Sequence, residues 1–184
     1  MYTLLRHQFV ELLIRIAFLK FYKTKIEKSP AAAFIRLVET HLHCDYEQSG
    51  FRDYLWIKDV NQVYRANQYN LKNVYARLKK AQKLLPLNNL KAIVDKVIEH
   101  QPDALPMDKA KFQEIFSLSK LTIINEVLDF NRYKSLEYHE FLEAIARCAQ
   151  HMFTSKTNVS RTLARKIEIM LDGVFEEFEL YRHK

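Results

Sequence analysis

Leu136–Phe153 reads LEYHEFLEAIARCAQHMF, and Leu4–Phe21 reads LLRHQFVELLIRIAFLKF. The two stretches align without a gap. Leu4, His7, Phe9, Glu11, Arg15, Ala17 and Phe21 recur as Leu136, His139, Phe141, Glu143, Arg147, Ala149 and Phe153. Internal similarity of this kind points to a duplicated supersecondary unit, usually one that packs against its copy. The two helices are therefore expected in equivalent places. Phe9 and Phe141 should both be buried. Arg15 and Arg147 should share a role, a hydrogen bond to a helix end or to a nearby carboxylate.

The rest of the chain fits a helical protein. Its 184 residues are enough for one large domain or two small ones with a real core. Only two glycines and four prolines occur, too few for the turns of a β-rich fold. The fold class read from this is all-α. Cys44 and Cys148 sit in unlike contexts without metal-like spacing, which fits free thiols in a reducing compartment. The apolar stretch Phe9–Phe21 carries Glu11, Arg15 and Lys20 and is too short to span a bilayer, so no membrane partner is expected. It also lacks the features of a secretory signal. Basic residues outnumber acidic ones by 29 to 22, a net charge of +7. That excess favours an acidic partner, although the lysines are spread out as on an ordinary solvated surface.

Apolar periodicity places helices at about 5–23, 31–43, 57–83, 88–99, 108–119, 120–129, 139–153 and 159–181. In the first, the apolar line is Phe9, Leu12, Leu13, Ile16 and Leu19. Ser29-Pro30 reads as a cap with proline at the first helical position. Residues 44–55 read as a loop turning at Gly50, and Pro86 ends the third helix. Thr157–Asn158 reads as the cap of the last helix, whose Val159, Leu163, Ile167, Met170, Leu171, Val174 and Phe178 form a narrow seam. The expected division is a domain over 1–156 and a C-terminal amphipathic helix over 157–184.

Asp129–Glu140 (DFNRYKSLEYHE) resembles the calcium loop of an EF-hand. That loop is 12 residues long, with oxygen ligands at positions 1, 3, 5, 7 and 9, a glycine at 6 and a bidentate Glu at 12. Asp129, Asn131 and Glu140 hold positions 1, 3 and 12, Leu136 holds the aliphatic position 8, and Phe141 heads the next helix. Tyr133 at position 5 removes a carboxylate, and Lys134 at position 6 puts a cation where the turn needs glycine. The expectation is a vestigial loop with no metal, in which Glu140 caps the following helix. His100–Lys111 has the same frame, with Met107 at the aliphatic position, but Pro102 and Lys111 prevent chelation. It is the expected partner, so residues 88–153 should form a paired unit with Phe112, Phe116, Ile123, Val127, Leu136, Phe141 and Ile145 in the core. The first repeat begins in mid-loop, with Leu4 at the aliphatic position and Gln8 in place of the Glu. Asp45, Glu47, Ser49 and Gly50 mimic part of a loop but lack the aliphatic residue and the bidentate ligand, and read as a turn. His41, His43 and Cys44 offer soft ligands, yet residues two apart on a helix do not face one another. No phosphate-binding glycine loop and no nucleophilic constellation occurs, so neither an enzyme nor a cofactor is expected.

As an ordered series, FVELLIRIAFLKF, AAAFIRLVETHL, FRDYLW, VNQVYRANQYNLKNVYARL, FSLSKLTIINEVLD and LEYHEFLEAIARCA resemble a degenerate EF-hand-like module of ciliary and flagellar proteins from protists and algae. The resemblance implies EF-hand-like helix pairs and a non-enzymatic structural or adaptor role on the axoneme. The partner would be tubulin or a subunit of an attached complex within a large assembly, with nucleic acid not expected. Lys20, Lys23, Lys25 and Lys28, and Lys79, Lys80 and Lys83, are the candidate contacts. The alternatives are a calcium-responsive binding module and a small subunit of a mitochondrial assembly.

Overall fold

The computed structural model describes residues 4–42, 50–121, 123–125, 128–154 and 161–180. Helices dominate it, as expected. The chain divides into two compact units, Met1–Ser49 with Asn125–Leu128, and Gly50–Ile124 with Asp129–Lys184.

The first unit is a helical hairpin. Helix α1 (Arg6–Ala17) runs on into a π-helical turn, Phe18–Tyr22. The chain reverses through Lys25, whose φ of 59° is the left-handed conformation that ends many helices. Helix α2 (Pro30–His41) starts as the sequence predicts: Ser29 Oγ accepts from the Ala32 amide at 3.1 Å, and Pro30 loses no hydrogen bond at the first helical position. The buried core of the hairpin is small: Ala17 and Phe21 from one arm, Ala33 and Leu37 from the other, with Leu13 and Phe34 packed beside them.

The larger unit holds α3 (Phe51–Leu55), α4 (Lys58–Ala66), α5 (Gln68–Lys79), β1 (Leu85–Pro86), α6 (Leu87–His100), α7 (Lys109–Ser119), β2 (Ser135–Leu136), α8 (Tyr138–Met152) and α9 (Leu163–Glu177). Phe51–Leu55 is thus helical rather than loop, with Gly50 at its N-cap. The helix expected over 57–83 is broken at Asn67, whose Nδ2 donates to the Val63 carbonyl at 2.8 Å. Asparagine offers the backbone this alternative to a continuing helix. Lys80, with φ 53°, ends α5. No described residue between 120 and 129 is helical; Phe130–Lys134 forms a 3₁₀ turn instead. Helix α9 is capped by Thr162, whose Oγ1 accepts from the Arg165 amide at 3.3 Å. The expected caps Thr157 and Asn158 lie outside the described residues.

Helix α8 is the centre of this unit. Phe141, Ala144, Ile145, Ala146, Cys148, Ala149 and Met152 are fully buried, packed against α7 and α9 among others. The expected core residues Phe112, Phe116, Ile123, Leu136, Phe141 and Ile145 are all buried; Val127 lies outside the described residues. Helix α9 buries Ile167, Met170, Leu171, Val174 and Phe175 in the same core. The boundary therefore falls near residue 50 and not at 157, because the α9 seam is needed to close the core over α8.

The repeated segments do not occupy equivalent places. Phe141 is fully buried, but Phe9 is 48% exposed. A two-helix hairpin has one inward seam, and in α1 it is Leu13, Ala17 and Phe21. Of the expected apolar line, Leu13 faces inward, while Phe9, Leu12, Ile16 and Leu19 are exposed.

The two strands form one antiparallel ladder, pairing Leu85 with Leu136 and Pro86 with Ser135. Leu136 pairs with Leu85. Met107, the expected counterpart, is buried in irregular chain before α7.

Candidate functional site

Among the described residues, three clusters bear on function. The first surrounds Glu140. Its side chain turns back at the start of α8, and Oε2 accepts from the Glu137 amide at 2.7 Å, one half of a capping box. Oε1 accepts from the Leu121 amide at 2.8 Å. The Lys120 ammonium lies 2.6 Å from Oε2 and 2.7 Å from the Ser135 carbonyl oxygen. Both side chains are almost wholly buried. Burial pushes the Glu140 carboxyl upward, but the Lys120 hydrogen bond, the two amides and the Lys120 charge outweigh it and hold the group below its ordinary value.

Asp129 and Asn131 do not join this cluster. Both are exposed at the 3₁₀ turn, where the Asp129 carbonyl accepts from the Arg132 amide at 2.8 Å. Lys134 lies over the Phe130 ring at 5.3 Å. Arg132 pairs with Glu137. Among the described residues no group of three or more His, Cys, Asp or Glu is placed to hold a metal ion. His41 bonds the Lys20 ammonium at 2.7 Å through Nε2. His43, Cys44 and Asp45–Ser49 lie outside the described residues.

The second cluster is a buried ion network that the sequence indicated only through the recurrence of Glu and Arg. Glu143 Oε1 accepts from Arg147 Nε at 2.9 Å, and its Oε2 accepts from Arg52 Nε at 3.0 Å. Arg52 also reaches the Leu118 and Lys120 carbonyls at the end of α7, at 3.2 and 3.3 Å. The Arg147 guanidinium lies 4.5 Å from the centre of the Phe51 ring. Tyr64 donates to the Leu142 carbonyl at 2.8 Å, and burial raises its pKa. The network ties α3, α7 and α8 together. Arg15 bonds Glu11 in the same way, at 2.6 Å, but in the open. The shared role of the two arginines is thus a carboxylate four residues earlier on the same helix.

The third is the outer face of the hairpin. Phe9, Leu12, Ile16 and Leu19 recur at the 3-4-3 spacing of a helix-packing seam, and all four are exposed. Tyr22, Ile26 and Ile35 extend the exposed apolar surface of this hairpin. Basic residues border it. Residues 4–42 carry seven basic side chains against three acidic ones, a net +4. Lys23, Lys25 and Lys28 stand exposed on the reversal between α1 and α2, while Lys20 is engaged with His41. Lys79, Lys80 and Lys83 gather on the turn after α5, in the larger unit. Each predicted lysine run is therefore local to one turn. Among the described residues no helix is long and apolar enough to cross a membrane.

Comparison with family models, with curated proteins and with solved structures finds no match to this chain.

Proposed function

We propose that this chain is a non-enzymatic helical adaptor of the ciliary axoneme, docking through its N-terminal hairpin on an acidic protein surface of the microtubule or of a complex attached to it. The observation that carries the reading is the outward seam Phe9, Leu12, Ile16 and Leu19 beside exposed Lys23, Lys25 and Lys28. Three of the four sister residues of that seam in α8, Phe141, Ala144 and Cys148, are fully buried, and the fourth, His151, is half-buried. An uncovered seam of this kind fits a partner that supplies the missing cover. The net +4 of the hairpin selects an acidic one and disfavours a second copy of the same surface. The axonemal setting rests on the resemblance of the ordered segments described above.

The larger unit is read here as a pair of EF-hand-like loops whose ion chemistry is lost. Several features support that reading. Leu136 is position 8 of the loop frame, and with its ladder partner Leu85 taken as position 8 a second frame would run over residues 78–89. Helix α8 starts at position 10 of the first frame and α6 at position 10 of the second. Position 12 is Glu140 in one frame and Asn89 in the other. Asn89 Nδ2 donates to the Leu78 carbonyl, position 1 of its own frame, at 2.6 Å. A calcium-responsive reading is disfavoured, because both Glu140 oxygens are already engaged.

The test is co-sedimentation of the purified chain with microtubules, before and after proteolytic removal of the acidic tubulin tails, together with imaging of a tagged copy in ciliated cells. Binding is expected to weaken at least tenfold in Leu12→Asp/Ile16→Asp and in Lys23→Glu/Lys25→Glu/Lys28→Glu, with helicity unchanged. Equal sedimentation by all three proteins, or a tagged chain absent from cilia, would sink the reading.

A further inference from the structure

The Lys120 ammonium contacts two groups, the Ser135 carbonyl and the Glu140 carboxylate, that hold ligand positions in the EF-hand-like frame over 129–140. In such a loop the ion is bound by the backbone carbonyl at position 7 and by both oxygens of the carboxylate at position 12. Here position 7 is Ser135 and position 12 is Glu140. Lys120 Nζ lies 2.7 Å from the Ser135 carbonyl oxygen and 2.6 Å from Glu140 Oε2. Glu140 Oε1, the oxygen that would complete a bidentate grip, accepts from the amide of the very next residue, Leu121. The Lys120 side chain is 7% exposed and that of Glu140 1% exposed.

We infer that Lys120 is a covalently tethered cation that replaces the calcium of this loop. This rests on the EF-hand-like reading of residues 129–140. An ammonium offers three donors and one positive charge, so it satisfies a carbonyl and a carboxylate at hydrogen-bond distances not far from those of a calcium site. Lys120 is also the C-cap residue of α7, where the carbonyls of the last turn favour a cation. Arg52 engages the Lys120 carbonyl itself. The tether therefore joins the end of α7, the strand β2 and the start of α8 without an exchangeable ion. It also accounts for the irregular chain after α7. Leu121 is drawn onto Glu140, and the described residues of the segment that follows carry no helix where a metal-bound loop would have its entering helix. A divalent ion entering the site would have to expel an ammonium that is held at effectively unlimited local concentration. The helix arrangement is thus fixed in the absence of calcium, which suits a permanent docking scaffold.

The experiment uses the full chain with three readouts. Melting temperature is measured for Lys120→Met, for Glu140→Gln and for the two combined. The single variants are expected to melt below the parent, and the double variant no lower than the worse single, because one pair is being broken twice. Calcium titration by calorimetry is then run on Tyr133→Asp/Lys134→Gly with Lys120 kept and with Lys120→Met added. The Lys120→Met form is expected to bind at least tenfold more tightly, and calcium should raise its melting temperature. Equal affinity in the two forms, or uncoupled effects of Lys120 and Glu140, would overturn the replacement while leaving the EF-hand-like frame standing. Coupling without calcium binding in either form would overturn the frame as well, leaving a buried ion pair. Lysine acetylation of the unmodified chain, mapped by mass spectrometry, does not depend on any variant folding. Lys120 should stay unlabelled while Lys23, Lys25 and Lys28 react. Labelling of Lys120 at their rate would also overturn the inference.

Discussion

Glu11–Arg15 and Glu143–Arg147 are the same pair at the same spacing, with hydrogen bonds of 2.6 and 2.8 Å, and yet their energetic weights differ. The first lies in water, where an i,i+4 pair is worth about 0.3–0.5 kcal/mol. The second is buried, and Glu143 must also answer Arg52. Removing one member of a buried network leaves uncompensated charge and costs about 3–5 kcal/mol. Glu143→Ala is therefore expected to destabilise the chain by that amount in urea denaturation, and Glu11→Ala by no more than about 0.5 kcal/mol. Equal effects would mean that burial does not separate the two pairs. The recurrence of Glu and Arg was legible in the sequence, because like residues at like spacing make like local bonds. Their unequal burial was not, since it depends on Phe51, Arg52 and the end of α7, which lie far away along the chain. Lys120 was hidden for the same reason. A local motif shows which side chains a loop carries, but not that Lys120, outside it, bonds Glu140 and the Ser135 carbonyl.

Helix α9 approaches α6 through Gly173. A Cβ built there would lie 3.0 Å from Val97 Cγ1 and 3.4 Å from Cγ2. Alanine in place of glycine gains about 1 kcal/mol of helix propensity. Against that, a β-branched valine in a helix has one strongly preferred rotamer and yields poorly, and overpacking costs about 1–3 kcal/mol. Gly173→Ala is expected to lower stability by about 1 kcal/mol, and its cost should shrink when it is made in a Val97→Ala background, which removes the two methyl groups that the new Cβ meets. A thermal melt in which Gly173→Ala alone is stabilised would show that α6 and α9 can part at no cost. The seam of α9 was readable from its heptad-like spacing. What the seam covers was not, and the missing information is this close approach, which needs both helices in view. The break between α4 and α5 has a local cause: the apolar period continues across Asn67, while the Asn67 side chain turns back to the Val63 carbonyl and ends α4 after Ala66. In the sequence Pro86 reads only as the end of a helix, whereas in the structure it pairs with Ser135.

At the scale of the molecule the two units differ most in how much core each commands. The larger buries residues from nearly all its helices in one continuous cluster, whereas the hairpin rests on Ala17, Phe21, Ala33 and Leu37. Two of those four are alanines, which contribute little area, and two short helices are marginal without more packing than this. Around Phe21 the hairpin adds polar edges, with Arg36 at 5.5 Å from the ring and the His41 ring at 5.9 Å. Such contacts contribute about 0.5–1 kcal/mol each at exposed sites and do not replace a core. The hairpin should therefore open far more often than the larger unit. Amide hydrogen exchange followed by mass spectrometry is expected to show α1 and α2 exchanging at least a hundredfold faster than the central turns of α8. If the hairpin is a docking element, its partner supplies the missing cover, and adding that partner should slow exchange in Phe9–Leu19 while leaving α8 unchanged. The N-terminal copy of the repeat then has a reason to keep its outer apolar residues while commanding only a small core. It is stable enough to present a helix, and its outer seam is left for another protein to bury. Protection in α1 equal to that in α8 without any partner would contradict this. The hairpin would then be a finished domain, and its open seam would need another explanation.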